Sequence, residues 1–123
     1  MIVKTLEDVL GTKGEAHGDK WHSMRLFHAE DGLGVTLTDS LLEAGFEMTL
    51  WQKNHLEACY CLEGGGTVEE LDTGKVHRIR PGTLYAMNNH DRHRIRITER
   101  TRVICTFVPA LTGDEVHDED GSL

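Results

Sequence analysis

From Val35 onward the chain carries no helical spacing, and its apolar positions fall instead in short runs that alternate with polar ones. Only the N-terminus reads otherwise: "TLED", beginning at Thr5, is an N-cap with an acid three residues on, which predicts a short helix over about 6–10. After Gly11 the chain is polar and glycine-bearing until "WHSMRLFHA", where Trp21, Ser23, Arg25 and Phe27 share one parity. The runs that follow are "GVTLTDSLL", "FEMTLWQ", "LEACYCLEG", "TVEELD", "KVHRIR", "TLYAM", "HRIRI" and "RVICTFVP". Turn residues separate them, including "DGLG", "EAG", "GGG", "DTG" and "RPG". About seven or eight short strands with glycine-rich turns predict an all-β barrel or sandwich of jelly-roll type. No repeat or linker interrupts it, so a single domain over 1–123 is expected, with 1–20 as an N-terminal segment and 110–123 as an acidic tail or lid.

Parity within these runs picks out the unusual residues. In "NHLEACYCLEGGG", Glu57 shares a face with Cys59 and Cys61, while Ala58, Tyr60 and Leu62 lie on the other. A carboxylate on an apolar face is costly without a partner. In "HRIRI", His93, Ile95 and Ile97 point inward and Arg94 and Arg96 outward to solvent; in "RVICTFVP", Val103, Cys105 and Phe107 make a smooth face suited to lining a cavity.

Charge and cysteine usage narrow the function classes. Thirteen Lys and Arg against twenty-one Asp and Glu give a net charge of -8, which argues against nucleic acid or anionic membrane as a partner. No apolar run approaches the ~18 residues a membrane span needs. "MIVKTLEDVL" has no basic segment followed by an apolar core, so a cytoplasmic location is expected. The three cysteines, all in apolar runs, are expected to be reduced and buried, as lining rather than metal ligands.

The spacing of the inward-facing groups resembles the cupins, small β-barrels that commonly bind a metal. Gly45, Glu57 and Gly64 fall on the first cupin motif, with Trp51 and Lys53 at its two histidine positions. "PGTLYAMNNHDRH" supplies Gly82 and His93 of the second motif, although Asn88 and His90 stand where proline and glycine are usual. Half of a four-residue metal site is therefore kept. Burying Glu57 and His93 only as an ion pair would rarely repay their desolvation. A third ligand would justify both, and the residues leave two candidates, His55 and Tyr85, with the commoner imidazole slightly favoured.

Nearly the whole chain, and above all "HLEA", "PGTLYA", "HDRH" and "LTGDEVHDEDG", is similar to the ectoine synthase family of cupins. The resemblance implies a metal, most naturally ferrous iron with manganese or zinc as alternatives, held by Glu57, Tyr85 and His93. It implies a hydro-lyase that cyclises N-γ-acetyl-2,4-diaminobutyrate to ectoine with loss of water, in a homodimer. Around the substrate it puts Trp21, Arg25, Ser40, Cys105, Phe107, Glu115 and His117, the last two acting on the amine together from a closed tail. Thr38, Met48 and Gln52 depart from the family's usual residues near this pocket, which bears on substrate and rate. The alternatives are a divergent cupin that forms or hydrolyses a related amidine, an oxygenase lacking the usual three histidines, and a non-catalytic module that binds a small amino-acid derivative.

Overall fold

The computed structural model describes residues 1–119 and 121–123. Eight strands join in one antiparallel network: β1 (Glu15–Gly18), β2 (Trp21–Arg25), β3 (Thr36–Leu42), β4 (Glu47–Leu50), β5 (Leu56–Glu70), β6 (Lys75–Ile79), β7 (Leu84–Met87) and β8 (His93–Val108). Their order is β1-β2-β3-β8-β5-β6, with β4 added to β8 and β7 added to β5. The predicted helix is present as α1 (Leu6–Val9), where the Asp8 carboxylate accepts the Thr5 N–H at 2.9 Å. Among the described residues no helix is long and apolar enough to cross a membrane.

Two pairs of predicted strands are each one continuous strand. "LEACYCLEG" and "TVEELD" form the 15-residue β5, and "HRIRI" and "RVICTFVP" form the 16-residue β8. The triple glycine expected as a turn is instead a close approach of the two backbones. A side chain on Gly66 would strike the Arg96 carbonyl, and Gly64 adopts φ +87°. Register shifts between Cys61 and Gly66 mark the bulges by which β5 bends without breaking. Buried Thr101 holds the partner side, its Oγ1 accepting the Gly65 N–H at 2.9 Å. β1, an edge strand too polar to carry a periodic signal in the sequence, is an addition to the predicted set; there Glu15 bonds His22 of β2 at 2.7 Å.

The bend divides β5 and β8 between two walls. Their outer halves pair with each other and, on one side, β8 pairs with β3; beyond the bend β8 pairs with β4 and β5 with β6. Two apolar clusters result. Cys59, Met87, Val103, Cys105, Phe107 and Leu111 form one, and Cys61, Val68, Ile79, Ile95 and Ile97 the other, with Leu42 and Tyr85 packed against both. Parity is as read: His93, Ile95 and Ile97 are buried while Arg94 and Arg96 reach outward to Glu69.

The tail is seated against the barrel. Leu111 is fully buried, its N–H donating to Thr36 Oγ1 at 2.8 Å and its carbonyl accepting the Ala29 N–H at 2.7 Å. Farther on, the Glu115 carboxylate closes a turn by accepting the N–H groups of Thr112 at 2.8 Å and Gly113 at 2.9 Å. Partial burial alone would raise that carboxyl, but the converging amides outweigh it and bring the pKa down from 4.5 to about 2.

Replacing Gly66 by alanine should destabilise the fold by about 2–4 kcal/mol, since backbone, and not a yielding side chain, lies in the way. A denaturant midpoint unchanged within error would contradict the close approach. For Glu115 the folded pKa lies below the ordinary value, so the turn is fully supported above pH ~4.5 and loses support as pH falls towards ~2. Exchange of the Thr112 and Gly113 amides, compared at each pH with Glu115→Gln, should show protection that fades across that window. Equal protection in the variant at neutral pH would rule the cap out.

Candidate metal and substrate cavity

Strand register assembles the cavity. Arg25 lies beside Thr38, Thr38 beside Cys105, Cys105 beside Cys59, and Cys59 beside Tyr85, one rung across five strands. Side chains on a rung share a face of the sheet, and all five line a cavity of about 120 Å³. Two rungs along, on the same face, Glu57 pairs in register with Phe107, and both enter the same space. His93 reaches it from the start of β8, the opposite end of the strand from Cys105.

Each candidate ligand has its protonation set by its surroundings. His93 is 2% exposed, and its Nδ1 lies 2.9 Å from the Asp91 carbonyl. A carbonyl only accepts, so Nδ1 carries the proton and Nε2 keeps a lone pair. Burial lowers the imidazole's pKa, which favours that neutral, ligating form. The Glu57 carboxyl is pushed up by burial to about 7, against a smaller opposing effect from the Cys59 thiol. Burial likewise pushes the Tyr85 phenol well up, so it stays protonated until a cation offsets the charge. His55, the other candidate for third ligand, packs edge-on against Phe107 with ring centroids 6.3 Å apart and does not line the cavity.

The cysteines are free and buried. Cys59 and Cys105 face each other with sulfurs 3.1 Å apart and line the cavity, while Cys61 lies in the second cluster with its thiol on the Glu63 carbonyl at 3.4 Å. They are closer to the chemistry than lining alone implies. Glu57, Cys59 and Cys105 present ligand atoms within 4.8 Å of one another. Burial, followed by the Cys105 thiol, raises the Cys59 pKa well above its ordinary value, so as a ligand it would first have to lose a tightly held proton.

Nine of the ten expected site residues line this cavity: Trp21, Arg25, Ser40, Glu57, Tyr85, His93, Cys105, Phe107 and His117. Glu115 does not. Its carboxylate is occupied by the turn it closes, although its charge is felt by Arg25 and His55. Burial depresses the pKa of Arg25, and burial and then Arg25 itself depress that of His117, so a cation and a neutral imidazole share this end of the cavity. The three departures, Thr38, Met48 and Gln52, are all in the wall. Sequence reasoning missed Ser23, whose hydroxyl accepts a 2.9 Å hydrogen bond from Ser40 and whose parity with Trp21 and Arg25 was the available signal. It also missed Leu123, a terminal residue with no periodic signal at all.

Against known proteins, the family model described as ectoine synthase matches residues 1–123. The L-ectoine synthase of Desulfosudis oleivorans is 53% identical over 123 residues, covering 99% of this chain and 95% of that one. The crystal structure of ectoine synthase from P. lautus superposes with a TM-score of 0.90 at 45% identity, covering 98% of this chain and 87% of the other. An RmlC-like cupin from Shewanella frigidimarina matches with a TM-score of 0.64 at 21% identity, over 78% of this chain and 82% of that one, which shows the fold alone. A cupin barrel whose cavity gathers these residues, matched along its whole length by that family, belongs to the ectoine synthase family.

Proposed function

We propose that the chain is a metal-dependent hydro-lyase that closes the ring of ectoine, making a compatible solute from N-γ-acetyl-2,4-diaminobutyrate. The observation that carries this reading is the convergence of Glu57, Tyr85 and His93, from three strands, on one cavity that also holds Arg25. Two oxygen donors and a neutral imidazole fit ferrous iron or manganese, and the tautomer of His93 leaves the needed lone pair. Bound there, the metal would supply Lewis acidity towards the acetyl oxygen.

The remaining work belongs to side chains. Arg25 offers a planar fork to the substrate carboxylate, and its partial desolvation strengthens that attraction. Trp21, Phe107 and Leu42 supply apolar walls that favour a folded substrate over an extended, hydrated one. In that fold the α-amine attacks the acetyl carbon; one C–N bond forms, and the two amine protons leave with the acetyl oxygen as water. His117, neutral because burial and Arg25 oppose its charge, is suited to accept the first of these protons. Glu115 contributes by holding the turn that presents His117.

The outer face of β5 and β7 supports a homodimer. Tyr60, Leu62 and Leu84 are exposed there, with Tyr60 and Leu84 directly opposite in register, and a second copy is the occupant we infer. Free cysteines accord with a reducing, cytoplasmic setting.

Glu57→Ala and His93→Ala should each lose most of their bound metal and at least ~100-fold in kcat/KM for cyclisation of the acetylated diamino acid, with folding retained by circular dichroism. Iron, manganese and zinc are to be loaded separately under anaerobic conditions. Wild-type turnover in fully metal-free protein would overturn the assignment, and substrate binding without product would make the chain a binding module. For the dimer, Tyr60→Asp combined with Leu84→Asp should halve the mass measured by light scattering. A wild-type protein already monomeric at micromolar concentration would dismiss that interface.

A further inference from the structure

The segment between β4 and β5 meets the end of the tail through one buried carboxamide. Gln52 is 2% exposed; its Oε1 accepts the N–H of Leu123 at 2.9 Å, and its main-chain carbonyl accepts from Nδ1 of His90 at 2.8 Å. Beside it the Lys53 N–H donates to Ser122 Oγ at 3.0 Å, and Ser122 is equally buried. Leu123 packs against the cluster formed by Cys59, Cys105 and Phe107 and lines the cavity, as Gln52 does. Leu123 is thus part of the cavity wall.

Only an oxygen can accept an N–H, so the Leu123 amide fixes which way the carboxamide faces. Its nitrogen meets no acceptor among the described residues, and the side chain lines the cavity. A nearly buried donor bordering a cavity that holds polar ligand groups is placed to serve a bound molecule.

We propose that Gln52 is a positioning and selectivity residue: Oε1 pins the tail end as a wall of the cavity, and Nε2 donates to an oxygen of the bound substrate. Tail closure and substrate recognition then share one side chain. The substrate half rests on the function proposed above, whereas the tail half does not. Neutral at all working pH values, Gln52 moves no proton, but it supplies an acceptor and a donor in opposite directions, a pairing that no carboxylate offers.

Gln52→Glu keeps the acceptor and removes the donor; Gln52→Leu removes both. In Gln52→Glu, exchange of the Leu123 amide by NMR in substrate-free protein should stay within ~3-fold of wild type. Its KM should rise ~10-fold or more, with kcat changing by less than ~3-fold. In Gln52→Leu the same amide should exchange ~10-fold faster, and kcat should fall as well as KM rise. Should that variant fail to fold, deletion of Leu123 alone takes its place and should reproduce the loss in kcat. Unchanged Leu123 exchange in Gln52→Leu, or undiminished kcat on deleting Leu123, would overturn the tail half. An unchanged KM in Gln52→Glu would overturn the donor half. If wild type shows no turnover, the proposed function itself has failed; amide exchange still decides the tail half, and the calorimetric affinity of Gln52→Glu for the same acetylated diamino acid decides the donor half.

Discussion

The long pairing between β5 and β8 is the constraint from which the rest of the molecule follows. Each strand has to serve both walls of the barrel, and neither can do so straight. Gly64 to Gly66 resolve this by letting two backbones come closer than any side chain permits, so that register slips while hydrogen bonding resumes on the far side. The bend puts His93 at one end of β8 and Cys105 and Phe107 at the other, both facing the same interior. Glu57 and Cys59 reach it from β5, which brings Tyr85 with it through β7. Without the bend these groups would be spread along a flat sheet.

The interior they share is electrostatically unsettled. A carboxyl raised to about 7, a phenol and a thiol pushed well up, and two neutralised imidazoles lie around one cavity, each displaced by burial before anything else. A protein gains no stability from such a set. A cation held as proposed would reverse the penalty by favouring ionised Glu57 and Tyr85 and a neutral His93. The same desolvation suits Arg25 to the anchoring role proposed for it. Stability is supplied elsewhere, by the two apolar clusters and by the tail's anchor at Leu111.

Inward and outward faces were legible in the chain because a half-buried strand writes its orientation with a period of two. That is why Glu57, His93 and Cys105 could be picked out as inward, and Arg94 and Arg96 as outward. Motif likeness added Tyr85, Arg25 and His117. What could not be read was continuity. Glycine is the mark of a turn and equally of a close backbone approach, and the two differ only in what lies opposite. Gly64–Gly66 therefore looked like an end of strand, and the polar "TER" within β8 looked like another.

Chemistry that depends on distant partners was also beyond reach. Glu115 is a local case: the amides of Thr112 and Gly113, three and two residues back, hold its carboxylate in a turn that no apolar periodicity marks. Gln52 is the distant case: in the sequence it is only a departure near the pocket, and its oxygen accepts from Leu123, 71 residues away. By itself the sequence determined the all-β class, the faces of the residues read in β5 and β8, and the family, since these rest on local periodicity and on contiguous motifs. The tertiary structure alone decided which strands run unbroken, that His55 packs on Phe107 outside the cavity, and that Leu123 is seated on Gln52. Each of those depends on a backbone or side chain brought close only by folding, and no local pattern records it.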